Sequence, residues 1–268
     1  MKKMTAIILA ALSVNMSFAA DNKITLEGST TVLPIAQKAA EAYMKKNPNI
    51  SVTVRGGGSG VGIVSLIDGT CDIADSSRPI KQKELDNAFK KSKKLKAHII
   101  AMDAIVIAVN PSNPLDNLSK NQIKDIFTGK IKNWKELGGK DLKIVAVSRD
   151  SASGTFEAFS EHALDKKRVR PDALTQASNQ AVANIISQTP GAIGYVGIGY
   201  ISDKIKAVKY ENIEATKENV LKNKYLLARP LFMYTEENMK PEVKNFIDFI
   251  KGPEGAMLAQ EAGFIPFK

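Results

Sequence analysis

The sequence predicts an α/β protein of two lobes, with the first lobe built from both ends of the chain. Three observations predict it. Short apolar strands alternate with amphipathic helices almost throughout. Two apolar strands, one near Ala104 and one near Tyr195, bracket a middle segment. No internal repeat or low-complexity linker interrupts the pattern.

The elements follow in order. Lys23–Leu26 reads as a strand, and a helix runs from about Val32 to Lys46, with Val32, Ile35, Ala36, Ala39, Tyr43 and Met44 on one face. Pro34 falls in its first turn, where a missing N–H costs nothing, and Asn47-Pro48-Asn49 stops it. Ser51–Arg55 is a strand, a glycine loop leads to a helix at Gly62–Ile67, and Asp72–Asp75 is a third strand. This β-α-β-α-β order argues for a parallel sheet covered by helices. A second unit begins with the strand Ala104–Val109, the helix Lys120–Phe127 and the strand Lys143–Val147. Helices at Thr155–Ala163 and Gln180–Ser187, a strand at Ala192–Val196 and a final helix at Pro241–Ile250 complete the reading. The expected boundaries are 1–19 for a signal peptide, 20–104 for the first part of lobe 1, 105–198 for lobe 2 and 199–268 for the rest of lobe 1.

The signal peptide rests on Lys2 and Lys3, the apolar stretch Ile7–Val14 and the small residues of Ser17-Phe18-Ala19, with cleavage expected after Ala19. That apolar core is too short to span a bilayer, and no later segment is long enough. The mature chain is therefore expected in the periplasm. About 250 residues remain, enough for one large domain or two ordinary ones. The formal charge of +10 falls to +8 with the loss of Lys2 and Lys3. A basic surface attracts anions, but few aromatics and no nucleic-acid motif argue against nucleic acid as partner. Lys90, Lys91, Lys93, Lys94 and Lys96 read as a solvated helix end or loop. Cys71 is the only cysteine, so no internal disulfide forms, and it reads as a small buried hydrophobe.

Three segments share one design, in which a strand leads through small polar residues into a helix. They are Gly28-Ser29-Thr30-Thr31, Gly56-Gly57-Gly58-Ser59-Gly60, and Arg149 through Thr155. First-turn N–H groups lack intrahelical partners and the helix dipole is positive there, so an anion fits such an end. Serine and threonine are also ordinary N-caps, so one such end is only a cap. Three in one chain, with Arg149 four residues before Ser153-Gly154-Thr155, point to an anion site, because guanidinium matches an oxyanion in bidentate fashion.

On these residues the chain resembles the periplasmic phosphate-binding proteins of the phosphate ABC importer, along essentially its whole mature length. The resemblance rests on Gly28-Ser29-Thr30-Thr31-Val32-Leu33-Pro34, Gly58-Ser59-Gly60, Asp72 through Arg78 and Arg149 through Thr155. It continues through Pro190-Gly191-Ala192-Ile193-Gly194-Tyr195, Arg229-Pro230-Leu231 and Gly252-Pro253-Glu254-Gly255. It implies a type II binding-protein fold, each lobe a mixed sheet flanked by helices, with the ligand in the interlobe cleft. It implies inorganic phosphate held by Thr30, Thr31, Ser59, Arg149, Ser153, Gly154 and Thr155, delivery to membrane permease subunits, a monomer and no cofactor. Ser77 stands where better-known members carry an aspartate that accepts the ligand proton. Ser77 can still donate, and Ser29, Asp75, Ser76 and Arg78 are further candidates, Asp75 as the proton acceptor. Asp150 is expected to orient Arg149, and Pro190-Gly191 to serve the return crossing as a hinge.

Enzyme readings find little. His98 and His162 lie far in sequence from the serine-glycine segments, and there is no Gly-x-Ser-x-Gly elbow, Walker A motif or metal-ligand spacing. Two alternatives stay open: a carrier for sulfate, molybdate or tungstate, and an exported hydrolase using Ser153 or Ser59. A histidine beside either serine would favour the hydrolase.

Overall fold

The computed structural model describes residues 22–267; the signal peptide expected at 1–19 lies outside them. The chain opens with strand β1 (Lys23–Gly28), helix α1 (Leu33–Lys46), β2 (Ser51–Gly56), α2 (Ser59–Asp68), β3 (Ile73–Ser76) and α3 (Gln82–Lys90). A long strand β4 (Leu95–Val109) follows, then β5 (Asn117–Leu118), α4 (Lys120–Thr128), β6 (Val145–Arg149), α5 (Gly154–His162), β7 (Leu174–Gln176), α6 (Asn179–Gln188) and β8 (Ala192–Gly197). The last part holds β9 (Lys206–Tyr210), α7 (Lys217–Leu221), β10 (Ala228–Glu236), α8 (Pro241–Lys251), α9 (Pro253–Glu261) and β11 (Ile265–Pro266).

Local chemistry sets the helix ends. In α1, Pro34 occupies the first turn, Ile35, Ala36, Ala39, Ala40 and Tyr43 face inward, and Lys45 and Lys46 meet the negative end of the dipole. Ser119 and Gln122 form a capping box at α4, and Gly129, at φ 85°, closes its other end. Ser153 caps α5 by accepting from the Phe156 N–H at 3.1 Å, and Ser178 caps α6 by accepting from Ala181 at 3.1 Å.

The strands run in the order β2-β1-β3-β10-β4-β8-β6-β7. β1 pairs in parallel with β2 and β3, but β10 lies antiparallel between β3 and β4. The sheet is therefore mixed, because the returning chain inserts a strand that a βαβ reading does not supply. β4 ties the molecule together. Its residues through Ala104 pair with β10, and from Ile105 on they pair with β8 and β9. Beyond that switch β6 joins β8, and β7 joins β6, both in parallel.

Two main cores correspond to the two halves of β4. Ile24, Leu26, Ile35, Ile73, Leu231, Met233 and Phe246 pack in one; Ile107, Ile123, Phe127, Trp134, Phe159 and Tyr195 pack in the other. The sequence places all of 199–268 with the first lobe, but β9 pairs with Ile107–Val109 and with β5, and Val208, Tyr210, Val220 and Tyr225 pack in the second core. The return is thus stepwise, and β10 then pairs with β3 and with the first half of β4. Pro190-Gly191 starts β8 at the end away from the switch, where Ile105 faces Gly197. A Cβ on Gly191 would stand 2.4 Å from the Lys143 carbonyl oxygen, so close packing requires glycine there. Cys71 is buried, and its thiol is pushed up to about 12 by burial and then by Glu27, Asp75 and Asp72. No helix among the described residues is long and apolar enough to cross a membrane.

Candidate functional site

The three strand-to-helix turns singled out in the sequence converge between the two bodies. Gly28, at φ 140°, makes the first turn possible, since a Cβ there would stand 2.2 Å from the Asp75 carbonyl oxygen. The Ser29 N–H donates to that same oxygen at 2.8 Å, and Ser29 Oγ accepts from Thr31 N at 3.1 Å, which turns Thr30 and Thr31 into the cleft. The glycine loop before α2 lies against this turn, with Gly57 N and Gly58 N both donating to the Gly28 carbonyl. Ser59 Oγ accepts from Ser77 N at 3.0 Å and lies 3.3 Å from Ser77 Oγ.

The start of α5 closes on this pair from the other body. Thr155 Oγ1 is 2.8 Å from Thr31 Oγ1, and Gly60 N donates to the Ala152 carbonyl at 3.0 Å. Gly154 packs so tightly that a Cβ would come within 2.5 Å of Ser59 Oγ and 2.8 Å of Ser77 Oγ. As the first residues of α5, Gly154 and Thr155 present N–H groups with no intrahelical acceptor.

Arg149 ends β6 beside this cluster and is 3% exposed. Its Nε donates to the Gln176 carbonyl at 3.1 Å and its Nη2 to the Ala177 carbonyl at 2.9 Å, which fixes the plane of the guanidinium. Its Nη1 is buried and has no partner among the described residues. Among the described residues no carboxylate forms an ion pair with it. Asp150, expected to orient it, instead accepts from the Ala152 N–H at 2.9 Å. Burial, first of all, lowers the Arg149 pKa, and neighbouring Arg229 adds to that. A buried cation with an idle donor is costly unless an anion completes it.

Arg229, which enters the sequence reading only through Arg229-Pro230-Leu231, is a junction in the structure. Its Nε and Nη2 reach Asp103 Oδ2 at 3.0 and 2.8 Å, Nη1 donates to the Gly154 carbonyl at 3.2 Å, and Nη2 reaches Thr155 Oγ1 at 2.9 Å. Asp103 also accepts from Ile198 N at 3.0 Å; burial raises its pKa and Arg229 opposes that rise. Asn179, the first residue of α6, donates to Thr30 Oγ1 at 3.1 Å and Thr31 Oγ1 at 3.0 Å and accepts from Gly197 N. The available signal for Asp103 was a lone carboxylate inside an apolar strand.

Other candidates are already engaged. Arg78 forks onto Glu84 at 2.8 and 2.7 Å, donates to the Pro79 carbonyl, and has its Nε 2.7 Å from Glu157 Oε2. Its charge is thus paired with Glu84 and Glu157. Ser76 Oγ donates to the Arg78 carbonyl at 2.8 Å. Asp75 is buried, neither carboxylate oxygen has a hydrogen-bond partner among the described residues, and burial holds its pKa well above the usual carboxylate range. It faces the first core beside Met233, its partner in register, which also packs there.

His98 Nε2 lies 3.0 Å from Thr235 Oγ1, and burial depresses its pKa to about 4. Among the described residues no histidine bonds Ser59 or Ser153, and Ser153 Oγ is engaged as a cap.

A family model described as a PBP superfamily domain matches residues 15–254. Over 249 residues the chain is 36% identical to the phosphate-binding protein PstS of Bacillus subtilis, covering 92% of this chain and 81% of that protein. The chain belongs to the phosphate-binding protein family of the PBP superfamily. Another member, the phosphate-binding protein PstS of Staphylococcus aureus strain USA300, is 34% identical over 252 residues, covering 89% and 76%. A protein from Clostridium perfringens, assigned as a phosphate ABC transporter substrate-binding protein and solved with bound phosphate, superposes with a TM-score of 0.86. It is 36% identical and covers 92% of this chain and 100% of that one. An ABC-type phosphate transport receptor from Vibrio cholerae gives 0.74 at 34% identity, covering 90% and 99%. In this family the two-lobed α/β frame sets a cleft between its bodies, and the convergent turns above lie there.

Proposed function

We propose that this protein captures inorganic phosphate outside the cytoplasm and delivers it to the membrane subunits of an ABC importer. The observation that carries the proposal is Arg149, a buried guanidinium with one idle N–H, set beside the unpaired first-turn amides of α5. A small tetrahedral oxyanion would complete both. The proposed contacts are Thr30, Thr31, Ser59 and Ser77 from one body and Arg149, Ser153, Gly154 and Thr155 from the other. Ser29 serves as a cap, and Ser76 and Arg78 as support.

The role is binding, not catalysis. The first lobe comprises 20–104 and the last part of the chain, and the second comprises 105–198 together with the β9–α7 segment. Export follows from the signal peptide at 1–19, cleaved after Ala19, and the mature protein works as a periplasmic monomer.

Calorimetry of the mature protein against phosphate, sulfate, arsenate and molybdate tests the proposal. Saturable 1:1 binding of phosphate, stronger than that of sulfate or molybdate, is the expected result. Failure to bind phosphate overturns it.

A further inference from the structure

Outside the anion site, one cluster of charged side chains joins the two bodies. Arg78, Lys81 and Glu84 sit together on the first body, at the start of α3. Glu84 holds them, taking the Arg78 fork and the Lys81 N–H, the latter at 2.8 Å. The fourth member comes from the other side. Glu157 lies in the first turn of α5, which packs on β6 and β8. Its Oε2 is 2.7 Å from Arg78 Nε, and its Oε1 accepts from Lys81 Nζ at 2.5 Å. A cavity of about 540 Å³, lined in part by Ser77, Arg78, Lys81, Glu157 and Pro230, opens beside these pairs. Here charged side chains of the two bodies meet beside an open cavity.

We infer that Glu157 is a latch, an interlobe ion pair with Arg78 and Lys81 that forms on closure and sets how long the bound anion is retained. This rests on the phosphate-binding reading above. Arg78, Lys81 and Glu84 are assembled by contacts within one body, so opening the cleft removes only Glu157. The Arg78 side chain is 6% exposed and that of Glu157 23%, so the pair is partly desolvated and its loss counts for more than that of an exposed pair. Glu157 is a positioning residue and does not touch the ligand.

The test exploits a difference of sign. Glu157 is a negative charge near a site for an anion, so charge alone predicts that Glu157→Gln tightens phosphate binding. A latch predicts the reverse, a loss of about tenfold, carried by faster release with an unchanged or faster on-rate. Glu157→Asp keeps the charge and shortens the reach, and should also weaken binding. Lys81→Met should cost much less in the Glu157→Gln background than in wild type, because the pair is already broken. Stopped-flow and calorimetry with inorganic phosphate read wild type and the four variants, and the variants' ligand-free thermal melts should coincide with wild type. Wild type that fails to bind phosphate sinks the functional reading and the latch with it. Wild type that binds, with Glu157→Gln equally tight or tighter, or with additive effects of Lys81→Met and Glu157→Gln, sinks the latch alone.

Discussion

Arg149 and Asp75 are opposite cases of an uncompensated buried group. Arg149 must stay charged, so its idle Nη1 waits for an anion, and Arg149→Ala should weaken phosphate binding by about 1.5–3 kcal/mol. Lysine should restore only part of this, since it lacks the fork. Calorimetry checks it, and affinity within twofold of wild type would remove Arg149 from the site. Asp75 can shed its charge instead, since burial raises its pKa and so favours the neutral acid. Its folded pKa is raised above the unfolded value, so its contribution to stability is complete below about pH 4 and is lost as pH rises toward the folded pKa. Asp75→Asn should therefore raise the melting temperature at pH 7–8 and leave it unchanged near pH 4, as melts at the two pH values will show. The same variant bears on selectivity: an altered phosphate-to-sulfate ratio would return Asp75 to the ligand. Arg149 was legible in the sequence because its neighbours carry helix-start chemistry. Arg229 was not, because its partners Asp103, Gly154 and Thr155 are brought to it only by the fold.

At the scale of elements, the αβ units with strong periodicity were legible, and α1, α2, α4, α5, α6 and α8 lie where the pattern puts them. β10 was missed because Arg229 and Pro230 interrupt its apolar run, and α3 because it is an exposed helix with only Ala88 fully buried. One tight meeting of two elements is α5 against the α2 turn at Gly154. Its φ is not in the left-handed region, so alanine fits the helix itself and only the closed interface forbids it. Gly154→Ala should fold with an unchanged ligand-free melting temperature and lose phosphate affinity by about a hundredfold or more, because the methyl collides with Ser59 and Ser77 from the opposite body. A variant that binds phosphate normally would mean that the closed contact yields cheaply.

For the whole molecule, the buried cleft ties binding to closure. Thr30, Ser59, Arg149 and Ser153 are all buried, so an anion can enter only when the bodies part, and closure must follow for both sets of donors to bind it. Binding to the closed native state and not to the unfolded chain stabilises by about 2.7 kcal/mol at a ligand concentration 100 times Kd. The melting temperature should therefore climb with the logarithm of phosphate concentration. The same titration measures selectivity. A site of donors alone would accept sulfate as well as phosphate, whereas one acceptor facing a fully ionised anion leaves lone pairs opposed. Asp103 is taken up by Arg229 and Ile198, so the acceptors left in the cluster are hydroxyls, and Ser77 and Ser59, 3.3 Å apart, can turn one oxygen toward a protonated ligand. We expect the sulfate curve to lie about two decades to the right of the phosphate curve, the discrimination an unmatched buried hydrogen-bonding group imposes. Arg149→Ala should flatten both curves without lowering the ligand-free melting temperature. Coincident curves for the two anions in wild type would make the protein a general oxyanion carrier. A ligand-free melting temperature that collapses in Arg149→Ala would make Arg149 a structural residue.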